Sequence, residues 1–507
     1  MVGIETSAAA HTAPSATPRR AWLGLAVLIL PVLLVSMDMS VLYLAMPTLT
    51  EHLDPSAEQQ LWILDIYGFM IAGLLITMGN LGDRIGRRNI LLAGATVFGI
   101  ASLLAAFAPS AGVLIAARAL MGVGGATLLP SSLALISSLF PDARARGTAI
   151  GVWTAFFAGG SAVGPVIGGL LLHKFWWGSI FLINTPVLLV LLALGPLLLP
   201  EHRSAGRGPL DPVSVLMSIG GILPLVYAVK RAAAEGVDAI SVVLGLAGVA
   251  VLVAFVRRQR TLAEPLLDLS LFRRGLFRVA IGSSTVGMMS LAGMSYLTSM
   301  YLQSVAGRDV LGAALLGIPA AIAVFICSMG GARVARRLGT RGSFVLALSA
   351  AAVGNLLLGI GVDGGIGWYI AGSTIAGLGY GIVFTLVSEV AVSSVPAERA
   401  GSAVGISETS FELGNALGLS LLGSLAALVF RSGGDFADTL GETLVLHRGD
   451  AAMVHAAQSS FVTGMHTALV VGAALLIMMA VAAAATSGRR RRRATAVDAA
   501  SAAAGTR

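Results

Sequence analysis

The sequence predicts an all-α, multi-pass membrane protein, and three observations carry that prediction. Charged residues make up 11% of the 507-residue chain, less than half the ~25% of a soluble domain. Mean hydropathy is +0.88, and the apolar residues come in long runs, as at 22–35, 90–108, 185–200 and 468–485. Helices of about 20 residues cross a ~30 Å hydrocarbon core. Such runs recur along the whole chain, which excludes a soluble enzyme carrying a single anchor. The third observation is where the arginines fall.

By the length criterion the chain reads as fourteen spans, in a six-plus-two-plus-six plan. They are expected at 22–47, 59–79, 90–108, 112–136, 147–171, 177–199, 212–230, 238–256, 277–301, 311–331, 343–361, 367–391, 403–430 and 465–486. With both termini in the cytoplasm, 26 of the 33 Lys and Arg residues fall in inner loops and tails. Six fall outside (Lys174, Lys230, Arg231, Arg308, Arg431 and Arg448), and Arg118 alone lies in the interior of a span, Lys230 and Arg278 being counted with the loops at whose edges they stand. That asymmetry is what the positive-inside rule demands. The net charge of +8 and the pI near 10.2 follow from it. These arginines flank the membrane and do not build one basic face, so nucleic acid is not an expected partner.

The charge pattern divides the chain. Residues 1–20 are a polar cytoplasmic tail with no cleavage pattern after the first apolar run, so the first span is expected to be retained. Residues 21–200 hold a six-helix bundle. Residues 201–275 hold two inserted helices with polar linkers, and 276–488 hold a second six-helix bundle. Residues 489–507 are a basic cytoplasmic tail. An outside loop at 431–463 carries Asp435, Asp438, Glu442 and Asp450, with a helix-compatible stretch at 449–461. Two bundles suggest an internal repeat. GNLGDRIGRR (79–88) is echoed by GGARVARRLG (330–339), which lacks the aspartate. Parallel repeats with a site between them are a known transporter plan.

Five of the 25 acids fall inside expected spans: Asp38, Asp65, Glu389, Glu408 and Glu412, with Asp238 only at the first residue of one. A charge at bilayer depth costs ~2.5–3.5 kcal/mol or more, so such residues face a cavity or a partner. Glu408 and Glu412, in ISETSFELGNALGL (406–419), share a helix face. Two carboxylates so close titrate as a coupled pair. Phe411 adjoins them, and an aromatic face can hold an organic cation. Tyr43, Trp62, Tyr67, Trp153 and Tyr301 are the other aromatics expected around the same cavity. Asp38, in VSMDMSVLYLAMP, lies ~24 Å up the first span at 1.5 Å per residue. Asp65, in LWILDIYGF, is nearer an outer end between Trp62 and Tyr67. Glu389 is near an inner end, where solvation explains it as well as function does. Arg118, as the buried cation, needs an acid or carbonyls. The seven histidines lie outside the spans or, as His466 does, at the edge of one, which leaves proton work to carboxylates. One cysteine, Cys327, excludes an intramolecular disulfide. No His/Cys spacing points to a metal, and no cofactor is expected.

Two further motifs concern movement. In GNLGDRIGRR, Gly79 and Gly86 allow a tight turn and close approach. Asp83 can meet a helix N-terminus or an arginine across the bundle, while Arg84, Arg87 and Arg88 also serve the inner charge bias. In GGSAVGPVIGG (159–169), Gly160, Gly164 and Gly168 repeat every four residues and form a smooth packing face, with Gly169 beside it. Pro165 removes a backbone bond and bends the helix.

Together these segments resemble the major facilitator superfamily, specifically its fourteen-span drug:proton antiporters. GNLGDRIGRR resembles the family's loop motif between spans two and three. ARALMGVGGA, with Arg118, resembles its fourth-span motif, and GGSAVGPVIGG the antiporter motif of the fifth. MDMSVLYLAMP resembles the first-span signature of the fourteen-span branch, and LWILDIYGF and SETSFELGNALG its quaternary-ammonium and dye exporters. The resemblance covers about 20–488. It implies two six-helix bundles rocking about a central site in the cell membrane, as a monomer. It implies export of lipophilic cations in exchange for protons, with Asp38, Glu408 and Glu412 as the acids and Asp83 and Arg84 in an inner gate. Some members carry a further acid in the tenth span. Here LGIPAAIAVFICSMGG has none, which favours monovalent cations. The alternative is a dedicated exporter of one antibiotic, lipid or metabolite. The presence of only two lysines, Lys174 and Lys230, fits a high-GC source, where such exporters are common in this family. No nucleophile–base constellation or nucleotide loop suggests an enzyme or ATP-driven pump, so the expected energy source is an ion gradient.

Overall fold

The computed structural model describes residues 18–201, 211–262, 265–361, 365–396, 400–437, 439–447 and 449–486, and among them every regular element is helical. The tail at 489–507, and the segment 202–210 with Arg203 and Arg207, lie outside the described residues, as does Arg399. The first bundle contains α1 (Pro18–Leu53), α2 (Ala57–Ile85), α3 (Arg87–Ala106), α4 (Ala111–Leu139), α5 (Ala143–Lys174), α6 (Ser179–Leu182) and α7 (Asn184–Leu198). The inserted pair is α8 (Pro212–Glu235) and α9 (Ala239–Gln259). Then follow α10 (Gly275–Ser304), α11 (Val310–Leu316), α12 (Ile318–Gly361), α13 (Ile366–Ser393), α14 (Ala400–Leu417), α15 (Gly423–Ser432), α16 (Leu440–Leu446) and α17 (Ala451–Ala485).

Short polar side chains start these helices by accepting from their first free amides. Ser56, Ser110, Asp142, Asp211 and Asp238 do so for α2, α4, α5, α8 and α9. Twelve helical segments among the described residues are long and apolar enough to cross a membrane. The count expected from sequence was fourteen. One segment, Gly312–Gly359, runs 48 residues and contains two of the expected spans end to end. The expected fifth span is α5, 32 residues long and outside the twelve.

Three boundaries differ from expectation. The expected loop at 332–342 is helical, because α12 continues through it and breaks only at Gly339, whose φ of 71° suits a residue without a Cβ. The sixth span is split into α6 and α7. The outside loop is largely folded. Its helix-compatible stretch is continuous with the last span in α17, and α16 packs Leu440 with Phe430, Ala457 and Phe461. Between α14 and α15 the winding widens into a π turn at Gly418–Leu422.

Hydrocarbon gives little drive for helix association, so tight packing must hold a membrane bundle together. One core joins α1 to α7 through residues such as Leu28, Phe98, Leu133 and Phe181. A second joins α10 to α17 through Phe344, Tyr380, Met465 and Leu476. The inserted pair lies along the flank, where Ile222 and Val226 of α8 pack with Phe69 and Ile76 of α2 and Ala416 of α14.

Candidate functional site

Two seams join the N-terminal and C-terminal sets of helices. Along the first, α2 meets α14. A Cβ on Gly79 would strike the Gly401 carbonyl, and a Cβ on Gly401 would strike that of Gly79. The backbones touch there, which only glycine permits. Asp83 then reaches across. Its carboxylate accepts from the amides of Gly401 (3.0 Å) and Ser402 (3.1 Å) in the first turn of α14. It also accepts from Arg87 Nε (3.1 Å) and Nη2 (2.9 Å), both partners being buried. Arg87 continues to the Ala134 carbonyl (3.0 Å), and Arg84 donates to Asn80 Oδ1 (2.8 Å). Arg88 turns outward to the carbonyls of Pro196 and Leu199 (both 3.3 Å) and to Glu201. Gly86, at φ 110°, makes the turn into α3.

Along the second seam α5 meets α12. A Cβ on Gly151 would lie 2.6 Å from the Ser328 carbonyl, and Phe156 packs edge-on against Phe325 at 5.7 Å. Sequence reasoning missed Gly147 and Gly151. They stand four residues apart in register with Gly159, not Gly160, and so lie on another face of α5; their own small-residue spacing was the available signal. The antiporter-motif glycines pack elsewhere. Gly160 lies on Ser36 and Leu33, and Gly168 on Val41, so they join α5 to α1. Gly164 is buried and Gly169 half-buried, while the side chain of Pro165 lies outside the described residues. Both seams lie at the end where the loop arginines collect.

The intramembrane acids divide into two centres. In the first, Arg118 on α4 and Asp38 on α1 form a buried ion pair. Arg118 also donates to the Ile63 carbonyl (3.2 Å) and its guanidinium lies 4.7 Å from the Tyr67 ring centre. The expected partner of Arg118, an acid or carbonyls, is thus both. Beside Asp38, a small cavity bounded by Ile180, Phe181 and Asn184 has room for about one water. In the second centre, Glu408 on α14 is buried, and its Oε1 has no hydrogen-bond partner among the described residues. Glu412, half-buried one turn on, bears on it electrostatically. Tyr67, beside Arg118, is also within electrostatic reach of Asp38 and Glu412. Asp65 is half-buried on α2.

The expected cavity aromatics do not gather in one place. Phe411 packs edge-on against Phe384 at 5.2 Å, beside the glutamates. Trp62 stacks on Tyr227 of the inserted α8 at 5.7 Å, which ties α8 to α2. Trp153 donates to Ser132 Oγ (3.0 Å) and stacks on Phe157. Tyr301 packs in the outer cluster with Phe430 and Phe436. The side chain of Tyr43 lies outside the described residues.

Two helical sets of membrane-spanning length touch through glycine seams at one end, with one acid centre inside the first set and the other on α14, an architecture that points to a membrane transporter. The chain belongs to the Major Facilitator Superfamily, whose family profile matches residues 28–419. It is 41% identical over 420 residues to the multidrug efflux pump LfrA of Mycolicibacterium smegmatis, covering 83% of each chain. It is 33% identical over 416 residues to the methyl viologen resistance protein SmvA of Salmonella typhimurium, covering 81% of this chain and 83% of that one. In fold it matches the crystal structure of the human organic anion transporter MFSD10 with a TM-score of 0.60, at 18% identity, over 91% of this chain and 100% of that one. The protein is a multi-pass transporter of the cell membrane.

Proposed function

We propose that the protein is a proton-coupled antiporter that expels lipophilic cations, with Glu408 and Glu412 as the exchange site. One observation carries this reading: Glu408 is buried with an oxygen that has no hydrogen-bond partner among the described residues. A buried carboxylate left in that condition is costly, and a proton or a cation each relieves it. The two relieving species compete for the same oxygens, which is the condition for exchange. Phe411 and Phe384 supply aromatic surface for the apolar body of a cation. Asp38, already neutralised by Arg118, serves the cycle by holding the first set of helices in register with Tyr67.

In this reading the arginine-rich end faces the cytoplasm, fourteen spans place both termini there, and the two seams form the closed inner gate. Proton binding outside displaces the cation. The seams then part, the site opens inward, and the proton leaves. Drug and proton affinities are reciprocally linked. Ethidium uptake into everted vesicles, with the proton gradient intact or collapsed, tests the coupling, and purified protein titrated with drug should release protons. Glu408→Gln should abolish both signals, and gradient-driven efflux that survives this change sinks the proposal. Running methyl viologen beside ethidium separates divalent from monovalent preference, with ethidium expected to be favoured.

A further inference from the structure

The two seams are built by related segments, and their differences single out one residue. Aligning GDRIGRR (82–88) with GARVARR (331–337) puts Ala332 in the place of Asp83 and Arg336 in the place of Arg87. The second repeat has therefore kept the arginine and lost the acid. Ala332 nevertheless occupies the equivalent position in space, because a Cβ on Gly147 of α5 would lie 3.0 Å from the Ala332 Cβ. The acid is replaced from another helix. Glu389, on α13, brings Oε1 to 3.4 Å from that same Gly147 Cβ position. Its Oε2 is buried without a hydrogen-bond partner among the described residues.

What Glu389 does there differs from what Asp83 does. Asp83 caps the first turn of α14 from the opposite side of the seam. Helix α5 needs no such cap, since its own Asp142 accepts from Ala145 at 2.8 Å. Glu389 instead has a cation from each side bearing on it: Arg146 of α5 and Arg336 of α12. Arg146 adjoins Gly147 in sequence and Arg336 stands one turn after Ala332, so the two cations flank the point where Glu389 meets the seam.

We infer that Glu389 is a positioning residue of the inner gate, an anionic bridge that holds Arg146 and Arg336 together and so keeps the α5–α12 seam shut. It binds no substrate and acts only through the seam. The inference rests on the alternating-access reading above, in which that seam opens during the cycle.

The test is a double-mutant cycle read by spin-label distances. Labels go on exposed Arg144→Cys of α5 and exposed Arg337→Cys of α12, with Cys327 replaced by serine. A second label pair spans the α2–α14 seam. Glu389→Gln should raise the open population at the α5–α12 seam about three- to tenfold, the range of a partly buried charge interaction. Arg146→Ala should raise it by less. The double variant should lie closer to wild type than the product of the two effects, because the repulsion and the attraction vanish together. An unchanged distance distribution in Glu389→Gln, or fully additive effects, overturns the inference. Should Glu389→Gln not fold, Arg146→Ala alone decides, since no opening there has the same meaning. If Asp83→Asn moves the α2–α14 pair while Glu389→Gln moves nothing, this inference fails and alternating access stands. If neither pair moves in any variant or with drug, the underlying reading fails.

Discussion

Asp38 and Glu408 are both buried acids of long apolar helices, yet they live in opposite circumstances. Asp38 faces a buried guanidinium that is itself held by a backbone carbonyl and an aromatic ring. Glu408 has another carboxylate, Glu412, bearing on it one turn away and an oxygen with no hydrogen-bond partner among the described residues. The first arrangement is complete, and changing it breaks something. The second is incomplete until something arrives. A charge count along the sequence treats the two residues alike, and the distinction lies wholly in the partner.

The comparison breaks most sharply at Glu408. Glu408→Gln should cut gradient-driven ethidium efflux on the order of a hundredfold, the effect of removing about 3 kcal/mol of coupling. Its unfolding temperature in detergent should stay within about 4 °C of wild type. Asp38→Asn should behave in the opposite sense. It leaves Arg118 buried without its anion and should cost about 3–5 kcal/mol of stability, seen as a lowered melting temperature and poor yield. Replacing both members, as Asp38→Asn with Arg118→Met, should recover most of that loss. A stable Asp38→Asn single variant would show that the pair is not the completed structure argued above.

A smaller effect is expected at the inner gate. Asp83→Asn weakens charge-assisted bonds to two amides of α14, each worth about 1.5–3 kcal/mol, and should shift spin-label distances across the α2–α14 seam toward the open form. The smallest concerns Asp238, outside the spans at the start of α9. The Ser241 amide and hydroxyl, with help from Arg231, hold its carboxyl down at about 2. A depressed acid stabilises the fold above its unfolded value of about 3.9 and loses that contribution as pH falls through about 2. Asp238→Asn should therefore leave the transport profile between pH 5 and pH 8 unchanged. A shifted profile would mean that an acid outside the membrane shares in the coupling.

The sequence made the helices legible because apolar runs of span length have few alternative explanations, and the arginines marked which ends belong together. It also made Asp83 legible as an acid seeking a helix start or an arginine, and the structure gives it both. Other features were hidden for physical reasons. Helix α12 could not be separated from its expected loop, since Arg336 and Arg337 are good helix formers and only Gly339 breaks the winding. The partner of Asp38 lies 80 residues away on α4, a distance that periodicity does not bridge. Glu389 looked like a residue of the inner surface because its meaning depends on Gly147 and two arginines from different helices. The aromatics misled for a related reason. Trp62 and Tyr301 carry the chemistry of a cation site but are committed to packing on α8 and in the outer cluster.

The contact of Asp83 with Gly401 and Ser402 has one more consequence. Most amides in a helix are protected from solvent by bonds within the helix, and they report local fraying or global unfolding. The amides of Gly401 and Ser402 have their acceptor on another helix, in the other half of the molecule. Their protons become exchangeable when the halves part, without any helix having to melt. If the halves part as proposed, deuterium uptake at these two backbone positions is a label-free clock for that opening, readable in the unmodified protein.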